Sequence, residues 1–439
     1  GGEYPSVTGV AAKNALQARG WSMTFSSEVL PSVLDLEPAA AYSLRALKSS
    51  EDPNVVRVRR STDGALSNFK ASEVTDGTLT DWVNTEHNIY TSDFSSSVDG
   101  WVAYLGTTTP NVDSIGGRDD CLRYVENEDN SYHFVFKTQQ LLTYDRYRLS
   151  AEVYLPSSNT QIDELKVLNS LGDFVNIDGS NSTTSTDEWI TISFEATRNT
   201  GSNGHRLDFV AYTNGGRVYT GNGTDTFYVR NIQIDQLTAD GHVTTWYDQA
   251  GSNDASQTLV SSMPKLVDAG TLFTESGKPA INFDGVNDQL HSNFSSEISQ
   301  PSYSFLVHNF HATPTAYSGV IGSIGNEHRL ILGGSLQYSL QSGGGLGYSQ
   351  YETNEALISY RIQASAPLLN VNGSTQSVTS GTHIGSSSLE GILIGAINEN
   401  TASSGNVPIN CKELIIFAGD QESNRTGIEN NINDYYSIY

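Results

Sequence analysis

Between about residues 88 and 237, short runs of alternating apolar and polar residues recur with polar stretches between them. Tyr132, Phe134 and Phe136 form one run, and Tyr147, Leu149, Ala151, Val153 and Leu155 a second. Ile190, Ile192 and Phe194 form a third, Leu207, Phe209 and Ala211 a fourth, and Tyr228, Arg230, Ile232 and Ile234 a fifth. A period of two is that of a strand with one buried face. The intervening SSNT, TRNTGSNG and TNGG are turn chemistry. The spacing predicts an antiparallel sandwich, which an all-β domain of roughly 150 residues can hold.

After residue 238 the strands continue. HVTTWYDQ, KPAINFDG, SYSFLVHNF, LISYRI, GILIGAI and ELIIFAG are apolar runs of strand length separated by Gly-rich loops. In the tail, Ile428, Ile432 and Tyr435 or Tyr436 share one helical face, and Asp420 is placed to cap it. This predicts a closing amphipathic helix packed on a sheet. Near the start, residues 37–49 carry helical spacing behind Pro38. In VVRVRRSTDG, Val56 and Val58 alternate with Arg57 and Arg59, a strand ending at an Asp63-Gly64 turn. Residues 1–27 carry little pattern and read as an arm, even though residues 11–18 are compatible with a short helix.

Composition narrows the functions. The chain has 439 residues, with 24 Lys plus Arg against 49 Asp plus Glu, a net charge of −25. A surface this acidic repels phosphate, so neither nucleic acid nor an anionic membrane is an expected partner. No apolar run approaches the ~20 residues that span a bilayer, so no membrane insertion is expected. Polarity comes mainly from Ser, Thr, Asn, Gly and Tyr. Cys121 and Cys411 are too few and too far apart for a disulfide framework and are expected as buried free thiols. No basic-then-apolar leader opens the chain, so a signal peptide is expected to be absent or already removed.

Two segments, AYSLRALKSSEDPNVVRVRRSTDGA (41–65) and HVTTWYDQAGSNDASQ (242–257), resemble paired motifs of the concanavalin A-like/laminin-G-like jelly-roll family. That family includes the catalytic domain of fungal α-L-arabinofuranosidases, and domains of phage structural and marine bacterial surface proteins. PKLVDAGTLFTESGKPAINFDGVNDQL (264–290) looks like the family's laminin-G-like strand pair, and residues 413–438 are similar to its closing helix in phage and marine members. The resemblance implies an all-β fold: a discontinuous jelly roll of residues 28–87 and 238–439, interrupted by a second β-sandwich over 88–237. The inserted part resembles carbohydrate-binding-module jelly rolls, with IYTSDFSSSVDGW (89–101) as opening strand and FYVRNIQID (227–235) as closing strand.

Sugar sites on β-sandwiches combine an aromatic platform with polar side chains. The insert offers Trp101, Tyr104, Tyr124 and Tyr212, and the flanking domain offers Tyr348 and Tyr351. Most aromatics in such a chain fill cores, and that alternative stays open for each. The resemblance also makes calcium a candidate, tying the module's first and last strands through Asp93 and Asp235. The stretch from Asp248 to Asp254 is a second candidate, against the alternative of an ordinary acidic turn. No catalytic residue is assigned. Glu327, Glu352, Glu355 and Asp288 stand in no motif matching the arabinofuranosidase acids, and the adjacent cysteine pair of those enzymes is absent. The expectation is a non-enzymatic bacteriophage virion protein (capsid decoration, head fibre or tail appendage) on the virion surface. It would display glycan-binding sandwiches toward an extracellular or cell-surface glycan, with other virion proteins or further copies of itself as partners. The alternatives are a secreted or surface bacterial polysaccharide-binding protein and, further off, an arabinofuranosidase-like hydrolase.

Overall fold

The structure, a computed structural model, describes residues 32–111, 115–138, 146–168, 174–198, 206–325, 328–397 and 405–439. The arm expected over 1–27 lies outside them, as does Glu327. Strands make up 51% of the structure and helices 8%, so the chain is an all-β sandwich protein with helices as accessories. It divides into two compact units, one taking the chain up to Trp82 and again from Asp240 to Tyr439, the other Val83–Ala239.

In the first unit the strand Pro408–Ala418 is buried along all but its last residue. It pairs antiparallel with Ser302–Phe310 on one side, and with Ala40–Ser43 and Ile281–Asp284 on the other. A strand buried on both faces needs a continuous apolar run, and INCKELIIF supplies one apart from a few partnered polar residues. One of these is Glu413, fully buried. It accepts from Arg45 Nε at 2.8 Å, Arg45 Nη2 at 3.0 Å and Ser43 Oγ at 2.8 Å. The Arg45 guanidinium also lies 4.8 Å from the Tyr435 ring centroid.

The segment expected as a helix over 37–49 is instead a strand at Ala40–Ser43, registered Ala40↔Ile416 and Tyr42↔Leu414. All four residues are buried. Pairing with a central strand satisfies their backbone groups on one edge, and a short helix with only one apolar face would not fit there. The closing helix forms, at Arg425–Tyr436, and buries Ile428, Ile432 and Tyr436 against Tyr303, Phe305, Ile415 and Phe417. It starts later than expected. Asp420 does not cap it; its carboxylate accepts from the Glu422 backbone N–H and pairs with Arg361.

The two motif segments are hydrogen-bonded neighbours. Asn54–Arg60 pairs with Gly241–Trp246, placing Val58 beside Val243 and Val56 beside Trp246. Trp246 is fully buried and lies 5.8 Å from Tyr42. Arg60 holds Asp63 at 2.7 Å and lies over the Trp82 ring, so it is structural. In NFDGVND, Asp284 accepts three backbone N–H groups of the turn. Gly285 there takes φ +76°, and a Cβ would sit 2.8 Å from Pro408.

In the second unit two antiparallel sheets face each other. One runs in the order 174–180, 189–198, 146–154, 226–236, 122–126 and 106–109, with His87–Thr91 also paired to Thr226–Gln236. The other is five-stranded: 182–183, 164–168, 206–212, 134–138 and 102–104. The core between them comprises Trp101, Leu149, Val153, Leu165, Val167, Ile192, Phe194, Phe209, Phe227, Ile232 and neighbours. The strand Arg146–Tyr154 alternates exposed or half-buried with buried residues along its whole length, as its sequence does. Both cysteines are buried free thiols.

Candidate functional site

Alternation sorts the five-stranded sheet into two faces. Val135, Leu165, Val167, Leu207, Phe209 and Ala211 point into the core. The residues between them therefore point outward. They include Tyr104, Phe134, Phe136, Lys166, Arg206, Asp208, Val210 and Tyr212. The register aligns Tyr104 with Phe134 and Phe134 with Val210 on one row, and Phe136 with Asp208 on the next. The outward face is thus aromatic at one edge and charged at the centre.

Its geometry is built. Tyr104, 43% exposed, stacks on Phe134 with centroids 4.8 Å apart and planes 16° from parallel. Phe136 lies 5.8 Å from Phe134. The Arg206 guanidinium lies over both phenylalanine rings, at 4.9 Å and 4.6 Å. It also donates to the fully buried carboxylate of Asp208 through Nε at 2.7 Å and Nη2 at 2.9 Å. That two-point contact fixes the guanidinium plane against the rings. Tyr132, 38% exposed, stands on the small two-stranded ribbon formed by the sequence-distant Asn130–Tyr132 and Val218–Thr220 and carries the exposed Arg217 over its ring at 5.0 Å. Beneath the ribbon, Tyr219 donates to the buried Glu126 at 2.8 Å, and Asn222 N–H donates to the same carboxylate at 2.9 Å. Tyr104, Tyr132, Phe134, Leu168, Arg206 and Arg217 line an open groove enclosing about 340 Å³. Lys166, above the Tyr212 ring at 4.5 Å and 3.2 Å from Glu164, extends the face along the sheet.

The other expected ligand aromatics sit elsewhere. Trp101 is 1% exposed and donates its indole N–H to Tyr90; Tyr124 is fully buried and stacks on Phe227. Both are core side chains with no ring face open to a ligand. In the first unit Tyr348 is buried, which pushes its phenol up to about 12, and Tyr351 is half-buried edge-on against Phe310. Of the six, Tyr104 and Tyr212 lie on the outward face. Tyr132, Arg206 and Arg217 belong to the groove and were not among the expected site residues.

The carboxylates of the calcium candidates accept hydrogen bonds within the protein. Asp235 is buried and accepts from Asn88 at 2.8 Å and Gln233 at 3.0 Å. Asp93 accepts from the Ser95 backbone. Asp248 receives backbone N–H groups from Ala41, Ala250 and Asn253, and Asp254 receives that of Asp248. The Asp248 loop thus acts as a staple between the two motif segments. No group of three or more His, Cys, Asp or Glu side chains is gathered around a metal-sized space among the described residues.

A second cleft, in the first unit, is lined by His242, Met263, Lys265, Phe273 and Asp288. Lys265 is bound to Asp240 and Asp268, each at 2.7 Å, and Asp288 receives the Asp284 N–H. Burial, reinforced by the Asp284 charge, pushes the Asp288 carboxyl up to about 7 despite that hydrogen bond. The cleft presents one aromatic residue and no stacked platform.

No protein-family model matches the chain, and neither does any curated protein. Among solved structures it is similar to the N-terminal tandem of family 22 carbohydrate-binding modules from Paenibacillus barcinonensis Xyn10C, with 11% identity, TM-score 0.29, and coverage of 76% of this chain and 98% of that one. A family 4 carbohydrate-binding module matches 34% of this chain and 94% of its own length at 15% identity and TM-score 0.22. Trypanosoma rangeli sialidase matches 76% of this chain and 62% of its own length, at 10% identity and TM-score 0.31. With overlaps and identities this low, no function is read from them.

Proposed function

We propose that the chain is a non-enzymatic attachment protein whose Val83–Ala239 unit binds a glycan on the outward face of its five-stranded sheet. One observation carries the reading: the solvent-facing Tyr104 ring, stacked on Phe134 and backed by Arg206, lines one groove together with Tyr132. A pyranose offers an apolar face of C–H groups ringed by hydroxyls. It needs a flat ring for the first and fixed donors and acceptors for the second. Both are present here and pre-organised, so little side-chain entropy is lost on binding.

At the finer level, the chain is displayed on a bacteriophage virion surface, beside other virion proteins or copies of itself. The motif likeness of residues 41–65, 242–257 and 413–438 to phage structural proteins supports this. The second reading, a secreted or surface bacterial polysaccharide-binding protein, is supported by the same motifs, which marine bacterial surface proteins share.

A calorimetric screen of the intact chain against soluble polysaccharides tests the binding. A hit is expected, and Tyr104→Ala should weaken it about tenfold, the order expected for losing one aromatic platform. A hit indifferent to Tyr104→Ala, or none for the intact chain, would refute the proposed face. Mass spectrometry of purified particles decides the location: absence from virions leaves the bacterial reading.

A further inference from the structure

Resting on the glycan-binding reading, we infer that the groove is selective for an acidic polysaccharide, with Arg217 as the residue that engages its anionic groups. The argument starts from charge. The Val83–Ala239 unit holds 10 Lys plus Arg against 21 Asp plus Glu, a net charge of −11. Such a unit repels polyanions at long range, so a cationic spot on it must be local. Three of those ten basic residues, Lys166, Arg206 and Arg217, lie on this one face.

They are not equivalent. Arg206 is neutralised by Asp208 and serves as a flat backing for the rings. Lys166 is shared with Glu164. Elsewhere in the unit Arg146 and Arg148 pair with Glu195, Arg230 with Glu152, and Lys137 with Asp99, while Arg118, exposed in the turn it closes with Ile115, does not line the groove. Arg217 differs. It is exposed, and among the described residues its guanidinium has the Tyr132 ring and no carboxylate within salt-bridge range. With its guanidinium 5.0 Å from the Tyr132 ring centroid and exposed to solvent, Arg217 keeps donors available for the two-pronged contact that a carboxylate or sulfate accepts. A sugar stacked on Tyr104 in the same groove lies within a residue or two of that edge along a polysaccharide.

The shared chemistry is an anionic substituent on a pyranose, and it has two sources, a uronate carboxylate or a sulfate ester. The test is calorimetry on the full chain with four polymers: polygalacturonate, its carboxyl-reduced neutral counterpart, a sulfated galactan and its desulfated form. At least one acidic polymer should bind ten times or more tightly than its neutral partner, and the acidic partner that wins names the source. Arg217→Ala should erase that ratio, weakening the acidic polymer about tenfold more than the neutral one. Arg217→Lys should restore part of it. Tyr104→Ala should weaken acidic and neutral polymers alike. Equal binding within each pair, or a ratio that survives Arg217→Ala, overturns the inference while leaving a Tyr104-dependent glycan site standing. If none of the four binds, the inference falls, and a wider neutral-glycan screen then decides whether the underlying reading falls with it.

Discussion

Single residues set two measurable properties of the first unit. Arg45 is mostly buried against the fully buried Glu413. Arg45→Ala strands a desolvated carboxylate, so it should lower unfolding stability by about 3–5 kcal/mol in denaturant melts. A loss below ~1 kcal/mol would mean that Ser43 and Tyr436 alone can hold the charge. Asp288 gives a pH signature. Unfolded, its carboxyl ionises near the ordinary 3.8; folded, burial holds the proton up to about 7. The folded state therefore binds more protons between those values, and stability from this group is lost as pH rises through about 7. Asp288→Asn keeps the neutral form at every pH. Its melting temperature relative to the natural chain should rise from pH ~4 to ~7 and then level off. Parallel melting curves across that range would show that Asp288 does not titrate as described. At this scale the sequence was partly legible. Tyr104, Trp101 and Tyr124 were legible alike as candidate aromatics of the insert and differ only in which way the chain turns them. Arg217 gave no sequence signal, because its open edge depends on the absence of a spatial neighbour.

Elements were legible where one face is buried and hidden where context decides. Arg146–Tyr154 follows its alternation residue by residue, and Asn54–Arg60 does so from Val56 to Arg59. The run Tyr132, Phe134, Phe136 was visible as a strand, but its parity is the opposite of what apolarity suggests. Val135 faces the core and the phenylalanines face outward, beneath Tyr104 and Arg206. An aromatic binding face mimics a core face in sequence, since both are rows of large apolar side chains. Ala40–Ser43 misled for another reason: its helical spacing is overridden by pairing with Pro408–Ala418. The closing helix was legible because Ile428 and Ile432 repeat at four residues. Its contribution is packing, so Ile432→Ala should cost about 2–5 kcal/mol by creating a cavity among Tyr303, Phe305 and Ile415. A cost under ~1 kcal/mol in equilibrium unfolding would show that the helix is not part of the cooperative core.

For the molecule as a whole, each unit has a core of its own. Residues 83–239 should therefore fold when produced alone, with a cooperative thermal transition by circular dichroism and glycan affinity within about threefold of the intact chain's. A non-cooperative melt would mean that its sheets need the rest of the chain. The all-β class was legible across the whole sequence, because period-two runs and Gly-rich turns recur from end to end. The proposed binding face was not, because it is assembled from strands distant in sequence, at 102–104, 134–138 and 206–212, and from Tyr132 and Arg217 beside them. The most direct measurement is amide and side-chain chemical-shift mapping of residues 83–239, titrated with an oligosaccharide of the polymer that binds the intact chain. The account predicts the largest shifts at Tyr104, Tyr132, Phe134, Arg206 and Arg217. Shifts confined to the opposite sheet, along 146–154 and 189–198, would contradict it.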